Sequence, residues 1–178
     1  MPSFGNGTIR RFGLNASEFK RKAARDYEDL LQCAIPAFDG LIPAPHNEIV
    51  MKLLKLCAEW HALAKLHMHT DLTLELLEET TTAMATQFRL FLEQTCAQVV
   101  TFELPKEAEA HHKREQSQKD KGQSNSCPRL SIRPHKCSPS QRKTLNINTY
   151  KYHALGDYVF TIKKFGTTDS FNSDIVSR

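Results

Sequence analysis

Residues 146–170 place the strongest constraint on the fold, because they predict one amphipathic helix close to the end of the chain. Leu155, Val159 and Ile162 form its apolar stripe, and Gly166 follows where a left-handed C-terminal cap belongs. An apolar helix face has to pack against another element. Because little chain follows, we expect the partner upstream or outside this polypeptide, so this C-terminal helix either packs on a bundle or is left without a partner.

Three more helices are predicted upstream, and together they form a helical domain over residues 1–104. In each of them apolar residues recur every three or four positions. The second apolar stripe, which contains Trp60, is the widest and predicts the most buried helix. The third keeps its spacing long enough to be typical of a bundle seam. The predicted core helices cover about residues 17–35, 47–67 and 71–101.

Polar residues and prolines set the predicted helix ends. Pro36 is expected to limit the first helix and Pro105 to close the third, because the residue before a proline avoids the α region. Thr80–Thr82 is predicted to weaken the third helix, since β-branched residues lose side-chain freedom in a helix. The side chains suited to N-capping are those of Asn15 or Ser17, Asn47, and Thr70 or Asp71.

Residues 105–145 differ in composition and are predicted to form a long disordered basic linker. Between Pro105 and Thr144 there are ten Lys or Arg against four Asp or Glu. Aliphatic side chains are too few there to offset the entropy of ordering the segment. After a break, its first part, residues 106–118, can extend the third helix as a charged helix in solvent. The predicted fold class is therefore mainly α, an irregular bundle of about four helices with this linker and no strand.

Two groups of possible metal ligands occur, and neither has the spacing of a zinc site. Zinc knuckles place their cysteines about two to four residues apart, whereas nine residues separate the two cysteines of the first group. We interpret the second group as histidines at a helix end. The sequence predicts no metal ligand and no cofactor. The groups are His111, His112, Cys127, His135 and Cys137, and then His61, His67 and His69.

The patterns of nucleophilic catalysis and of membrane insertion are not found in the sequence. There is no Gly-x-Ser-x-Gly elbow, and Gly5–Gly7 is too short for a phosphate loop. No stretch approaches the roughly 18 apolar residues of a membrane span, and the start has no apolar signal region. We expect a nuclear or cytoplasmic protein, neither secreted nor membrane-bound. Cys33, Cys57 and Cys96 lie in apolar helical patterns and are interpreted as small core residues.

Basic residues are the candidates for nucleic-acid contact, through non-specific and salt-sensitive binding of phosphates. Most of them belong to the predicted linker, and a role in keeping that linker soluble remains the alternative interpretation. The candidate contacts are Arg10, Arg11, Lys113, Arg114, Lys119, Lys121, Arg129, Arg133, Lys136, Arg142 and Lys143.

Several blocks in one order resemble the large Plavaka-type transposases of mushroom-forming fungi, in the broad group that includes CACTA elements. The resemblance spans nearly the whole chain except for residues 106–143 and the final eight. The blocks are Gly7–Phe12, Asn15–Glu18, Ala23–Phe38, Pro45–Asn47, Glu59–Asp71, Asn148–Val159 and Phe165–Ser170.

The resemblance implies descent from a DDE transposase, whose RNase H-like fold carries three carboxylates that bind two Mg²⁺ or Mn²⁺ ions. In that group a helical insertion precedes the last carboxylate, and the predicted helices fit such an insertion. The family's Glu-rich motif, which follows the Phe-Gly-Thr-Thr-Asp-Ser block, is replaced here by Phe171–Arg178. We therefore assign no catalytic residue. Asp157 and Asp169 match family positions but are interpreted as a helix-face residue and a cap.

The resulting hypothesis is a truncated, transposase-derived fragment that does not catalyse the parent reaction and contacts DNA non-specifically. The alternative is a helical protein-interaction module without a nucleic-acid role. Such a module would bind a full-length relative, or a second copy of itself, through an exposed apolar helix face. An active nuclease is the third and least favoured hypothesis.

Overall fold

The computed structural model describes residues 23–104, 107–111, 113–114, 117 and 141–168, and this part of the chain is mainly helical, as predicted. The α-helices are α1 (Ala24–Phe38), α2 (His46–Ala64), α3 (Asp71–Leu90), α4 (Tyr150–His153) and α5 (Tyr158–Phe165). A π-helical stretch, Phe91–Cys96, continues α3, and a 3₁₀ turn, Ala154–Asp157, joins α4 to α5. The strands β1 (Thr101–Phe102) and β2 (Arg142–Lys143) pair in antiparallel register.

These residues divide into two compact units. The first, the helical unit, consists of the described residues up to Thr95 together with those from Asn146 onward. The second, the β-paired unit, consists of the described residues between Cys96 and Leu145. The core of the helical unit is thus assembled from segments that lie far apart in the sequence.

The core of the helical unit lies where α2, α3 and the C-terminal segment meet. Leu77 of α3 is fully buried at its centre, and Trp60 of α2 and Ile162 of α5 are buried beside it. Leu155 and Val159 pack against the same cluster. The apolar stripe of the C-terminal helix therefore has its partner within this polypeptide, and the partner is the α2–α3 pair.

Polar contacts fix how α2 and α3 lie against each other. The amide of Gln87 donates to the carbonyl oxygen of Ile49 over 3.1 Å, and both residues are buried. The indole N–H of Trp60 donates to the hydroxyl of Thr81 over 2.9 Å. Because the early part of α2 meets the late part of α3, the two helices run antiparallel.

The start of α3 agrees with its predicted cap. The Thr70 hydroxyl accepts a hydrogen bond from the Thr73 N–H over 3.3 Å, and the Thr70 N–H donates to the Thr73 hydroxyl over 2.8 Å. Two of the N–H groups that a helix start leaves unpaired are thereby satisfied. The predicted caps Asn15 and Ser17 lie outside the described residues. The prediction that Asn47 caps the second helix is wrong, because α2 already begins at His46 and its cap position is Pro45, which has no side chain that can accept a hydrogen bond.

Several predicted helix ends differ from the structure. Pro36 does not end α1, which continues to Phe38. The proline removes one N–H and crowds the carbonyl four residues earlier, but it lies in the last turn, where only two more residues follow. Helix α2 ends at Ala64 and not near His67. The helical path after α3 ends at Cys96 and not near residue 101, and a turn follows it.

The predicted C-terminal helix is not continuous. Its middle four residues, Ala154–Asp157, form a 3₁₀ turn that contains Gly156, a residue type that weakens an α-helix. On either side, the ring of Tyr152 packs edge-on against Phe88 and that of Tyr158 against Trp60. Gly166 follows α5 with φ of 94°, so the positive φ expected of a cap is present, although its ψ of −177° is extended.

The β-paired unit contains a short ladder that was not predicted. Thr101 pairs with Lys143 and Phe102 with Arg142, so the two ends of the predicted linker region meet. Helical residues occur at 107–111, 113–114 and 117, in agreement with the predicted charged helix. The prediction for residues 118–140 lies outside the described residues.

Candidate nucleic-acid interface

Four of the eleven predicted DNA-contact residues lie in the described part of the chain. Lys113 and Arg114 are exposed at helical positions, and Arg142 and Lys143 are exposed on β2. All four belong to the β-paired unit. The other seven lie outside the described residues: Arg10, Arg11, Lys119, Lys121, Arg129, Arg133 and Lys136.

Lys143 has a carboxylate partner. Its Nζ lies 3.4 Å from Oε1 of Glu103, whose side chain is only 8% exposed. The Thr101 hydroxyl also donates to the Lys143 carbonyl over 3.0 Å, which holds the strand carrying this lysine. A phosphate at this position would have to compete with Glu103, so Lys143 is a weaker candidate than its exposure alone suggests.

A second cationic surface, not predicted from the sequence, lies on α5. The Nζ of Lys164 is 5.6 Å from the ring centroid of Phe160 and 5.1 Å from that of Phe165. Both rings are largely in solvent, at 65% and 63% exposure. We name Phe160, Lys164 and Phe165 the FKF cluster. An ammonium group between two exposed aromatic rings combines a positive charge with apolar faces.

The packing of α5 explains why these side chains point outward. Ile162 is buried against the core, and Val159 and Tyr158 pack beside it. An eight-residue helix that turns this face inward leaves the remaining positions to solvent, including Lys163. Phe160 is the sequence signal for this surface, because it is a large apolar residue on the outer side of the Leu155–Val159–Ile162 stripe.

Two open grooves run beside the C-terminal segment, where it crosses α3. The first is lined by Arg89, Tyr152 and His153, and the second by Phe160, Lys163 and Glu78. Thr81 and Gly156 line both grooves, so the grooves adjoin. Burial raises the pKa of Tyr152, and the charge of Arg89 only partly offsets this effect. The tyrosine is therefore neutral near pH 7 and its ring stays compatible with an apolar contact.

Charge along the C-terminal segment is mainly positive. Lys151, Lys163 and Lys164 lie between residues 150 and 165, against Asp157 as the acidic residue of that stretch. Glu78 of α3 is the acidic group in the adjoining groove. The surface thus offers cations, exposed rings and the two flanking carboxylates of Asp157 and Glu78.

Two of the histidines contact polar side chains, and one cysteine is partly buried. His61 lies 3.6 Å from Glu28, and Nδ1 of His69 lies 3.3 Å from the Thr73 hydroxyl. Within the described part of the chain, no three His, Cys, Asp or Glu residues are grouped as metal ligands. Burial raises the pKa of Cys57 to about 11, so its thiol is protonated near neutral pH and a poor nucleophile.

Among the described residues, no helix has both the length and the apolar character that crossing a bilayer requires. No family model matches the chain, and neither a curated protein nor a solved structure matches it.

Proposed function

We propose that this chain is a helical module derived from a Plavaka-type DDE transposase, and that it contacts DNA without cutting it. The resemblance of its sequence blocks supports the lineage. Its mainly helical architecture is compatible with the helical insertion that the resemblance implies. The role in the parent enzyme would be to handle DNA beside the catalytic domain.

The FKF cluster carries the DNA-contact part of the proposal. Lys163 and Lys164 are consecutive exposed residues of the short helix α5, and the ammonium group of Lys164 lies near the exposed rings of Phe160 and Phe165. Lysines that approach phosphates release condensed counterions, which makes the affinity depend steeply on salt. The exposed Lys113, Arg114 and Arg142 add positive charge elsewhere in the chain.

The test is the binding of the purified full chain to a labelled random-sequence duplex over a range of salt concentrations. We expect binding at low salt that weakens steeply as salt rises. The double variant Lys163→Glu/Lys164→Glu should weaken binding, because each substitution places a negative charge beside the phosphates. The matched control is Lys52→Glu/Lys55→Glu, which makes the same charge change at exposed positions of α2. Failure of the unaltered chain to bind at low salt would contradict the proposal.

The proposed lack of cleavage is tested separately, by incubating the protein with supercoiled plasmid and Mg²⁺ or Mn²⁺. We expect no nicking above the background of the buffer. Nicking that copurifies with the protein through successive columns would show that the chain is itself a nuclease.

A protein-interaction role is the second candidate, and exposed leucines on α3 favour it. Leu72 and Leu76 lie one turn apart and are 73% and 42% exposed. The apolar stripe of the C-terminal segment is already packed against the core. The apolar helix face available to a partner would therefore be that of the two leucines. Sedimentation velocity over a hundredfold concentration range checks this candidate, with Leu72→Ser/Leu76→Ser expected to abolish any self-association.

A further inference from the structure

The packing of α5 determines which of its positions face solvent, but it does not require two of those positions to carry phenylalanine. Neither ring contributes to the buried core, whereas Ile162 between them does. Single exposed apolar side chains are common and need no explanation. Two rings placed near one ammonium group are a more specific arrangement, because each ring contacts the cation and is still largely exposed to other contacts.

We infer that the FKF cluster binds unpaired nucleotides, with bases stacking on Phe160 and Phe165 and with Lys163 and Lys164 holding the adjoining phosphates. This inference rests on the proposed function and names the form of nucleic acid that this surface takes. Phosphates alone would account for the lysines but not for the rings.

Single strands fit this surface better than duplexes do. A duplex buries the faces of its bases in the helical stack and presents mainly phosphates to a shallow surface. A single strand exposes base faces and phosphates together, and proteins that bind it combine aromatic platforms with positive charge. The two rings lie within reach of one strand, since both centroids are within 6 Å of the same Nζ atom.

Charge complementarity favours a nucleic acid over an apolar protein segment as the occupant. Lys163 and Lys164 would have to be desolvated beside an apolar partner, which is costly without an anionic counterpart. A strand of nucleic acid supplies that counterpart in each phosphate. The groove lined by Phe160 and Lys163 gives the strand a path along α3. The carboxylate of Glu78 in the same groove would repel the phosphates and so limit that path.

The experiment compares a labelled 15-nucleotide oligo-dT with a duplex of the same length, using the full chain at low salt. In Phe160→Ala/Phe165→Ala we expect the affinity for oligo-dT to fall about tenfold or more, since base stacking on aromatic side chains is lost. Affinity for the duplex should change less than about twofold, because the lysines that contact phosphates are retained. Leu41→Ala/Met68→Ala is the control, a loss of two exposed apolar side chains outside α5, and should alter neither affinity.

A second variant reports stacking directly. In Phe160→Trp the new indole is exposed, while Trp60 is buried against Tyr158. We expect oligo-dT to quench the fluorescence of the new indole, and retained affinity for oligo-dT would support the stacking role. Because both phenylalanines are exposed, the melting temperature should stay within a few degrees of the unaltered chain in every variant.

Equal losses on oligo-dT and duplex in Phe160→Ala/Phe165→Ala would overturn the preference for unpaired nucleotides. Unchanged affinity for both ligands, with the unaltered chain still binding duplex, would overturn the role of the two rings, whereas the proposed DNA contact through the lysines of α5 would stand. If Phe160→Ala/Phe165→Ala abolished a complex with another protein and left both nucleic-acid affinities unchanged, the rings would serve protein docking and the inference would be overturned.

Discussion

Thr81 shows how a residue type that disfavours helices is accommodated in the middle of α3. Its hydroxyl donates to the Leu77 carbonyl over 2.6 Å and accepts from the Trp60 indole over 2.9 Å. Thr82 and Thr86 likewise donate to carbonyls one turn earlier. The predicted weak point at Thr80–Thr82 is therefore part of continuous helix, because the hydroxyls find partners along the helix and, at Thr81, on α2.

Replacing Thr81 by valine keeps the side-chain shape and removes the hydroxyl. We expect Thr81→Val to lower the free energy of unfolding by about 1–2 kcal/mol, because the Trp60 N–H loses its acceptor in a largely buried site. Thr86→Val is the control, since its exposed hydroxyl bonds only to its own helix. Urea unfolding followed by tryptophan fluorescence measures both. Equal effects in the two variants would show that the contact with Trp60 adds nothing.

Glu28 links α1 to α2 through charge. Its Oε1 lies 2.8 Å from Nζ of Lys65 and 3.6 Å from the ring of His61. Burial opposes ionisation, but the hydrogen bond and charge of Lys65, together with His61, outweigh it and hold the pKa of Glu28 below its usual value. A carboxyl group with a lowered pKa stabilises the fold at neutral pH and loses that contribution as the pH falls through its folded-state pKa.

We therefore expect Glu28→Gln to lower the free energy of unfolding by about 0.5 kcal/mol at pH 7, as is usual for a partly exposed ion pair. The difference from the unaltered chain should shrink as the pH falls through the lowered folded-state pKa of Glu28, because the carboxyl group then becomes protonated and loses its attraction to Lys65. Urea midpoints between pH 7 and pH 3 provide the measurement, and Glu59→Gln on the exposed side of α2 is the control. A difference that stays constant over this range would rule out the charge interaction.

In the C-terminal segment, apolar periodicity predicted which face of the helix is buried but not where the helix is interrupted. The stripe of Leu155, Val159 and Ile162 was correctly predicted as the buried face, because apolar spacing depends only on helix geometry. The 3₁₀ turn at Ala154–Asp157 was not predicted, since it depends on how Tyr152 and Tyr158 pack on either side. The sequence pattern also places Phe165 beside the stripe, whereas the structure leaves that ring exposed.

The remaining differences also arise from contacts that leave no periodic pattern in the sequence. Short two-residue strands carry almost no periodic signal, so the pairing of β1 with β2 could not be read from the sequence. The contacts of Gln87 and Glu103 depend on residues far away in the chain. The FKF cluster was not predicted because positive charge is concentrated in residues 105–145, whereas Lys164 lies beside aromatic residues in a segment with few charges.

Ile162 anchors α5, so its truncation tests the attachment of the whole element. We expect Ile162→Ala to lower the free energy of unfolding by about 2–4 kcal/mol, because a buried side chain is removed from a core that cannot fully close around the space. Phe160→Ala, on the exposed face of the same helix, should cost less than about 0.5 kcal/mol. Urea unfolding measures both, and the near-ultraviolet signal of Trp60, which contacts Tyr158, reports whether α5 has detached. A similar cost for both variants would mean that the two faces of α5 are wrongly assigned.

At the scale of the whole molecule, one compact unit is assembled from both sides of residues 96–145. The Thr168 hydroxyl donates to the carbonyl of Ala64 over 2.8 Å, and the Tyr152 hydroxyl donates to that of Ala85 over 3.3 Å. These contacts join the C-terminal segment to α2 and α3 across more than 60 positions of sequence. Closing so long a loop costs entropy that grows only slowly with its length, so the composition of the intervening chain can vary without loss of the core.

Replacing residues 118–140 with a Gly-Ser segment of equal length should therefore separate folding from DNA binding. The melting temperature should stay within a few degrees, because the described core consists of α2, α3 and the C-terminal segment. Affinity for duplex DNA should fall, and the slope of log affinity against log salt should decrease by up to about 4. The cationic candidates removed are Lys119, Lys121, Arg129, Arg133 and Lys136.

The matched control is a Gly-Ser segment of the same length that keeps five lysines, at positions 119, 121, 129, 133 and 136. It should restore most of the affinity and the salt dependence, because non-specific phosphate binding depends on charge and not on the surrounding sequence. If the lysine-bearing segment fails to restore binding while the plain segment leaves the fold intact, residues 118–140 act through something other than their charge. If both segments bind duplex like the unaltered chain, the contacts lie in the described surfaces, and the FKF cluster and β2 become the sites to mutate next.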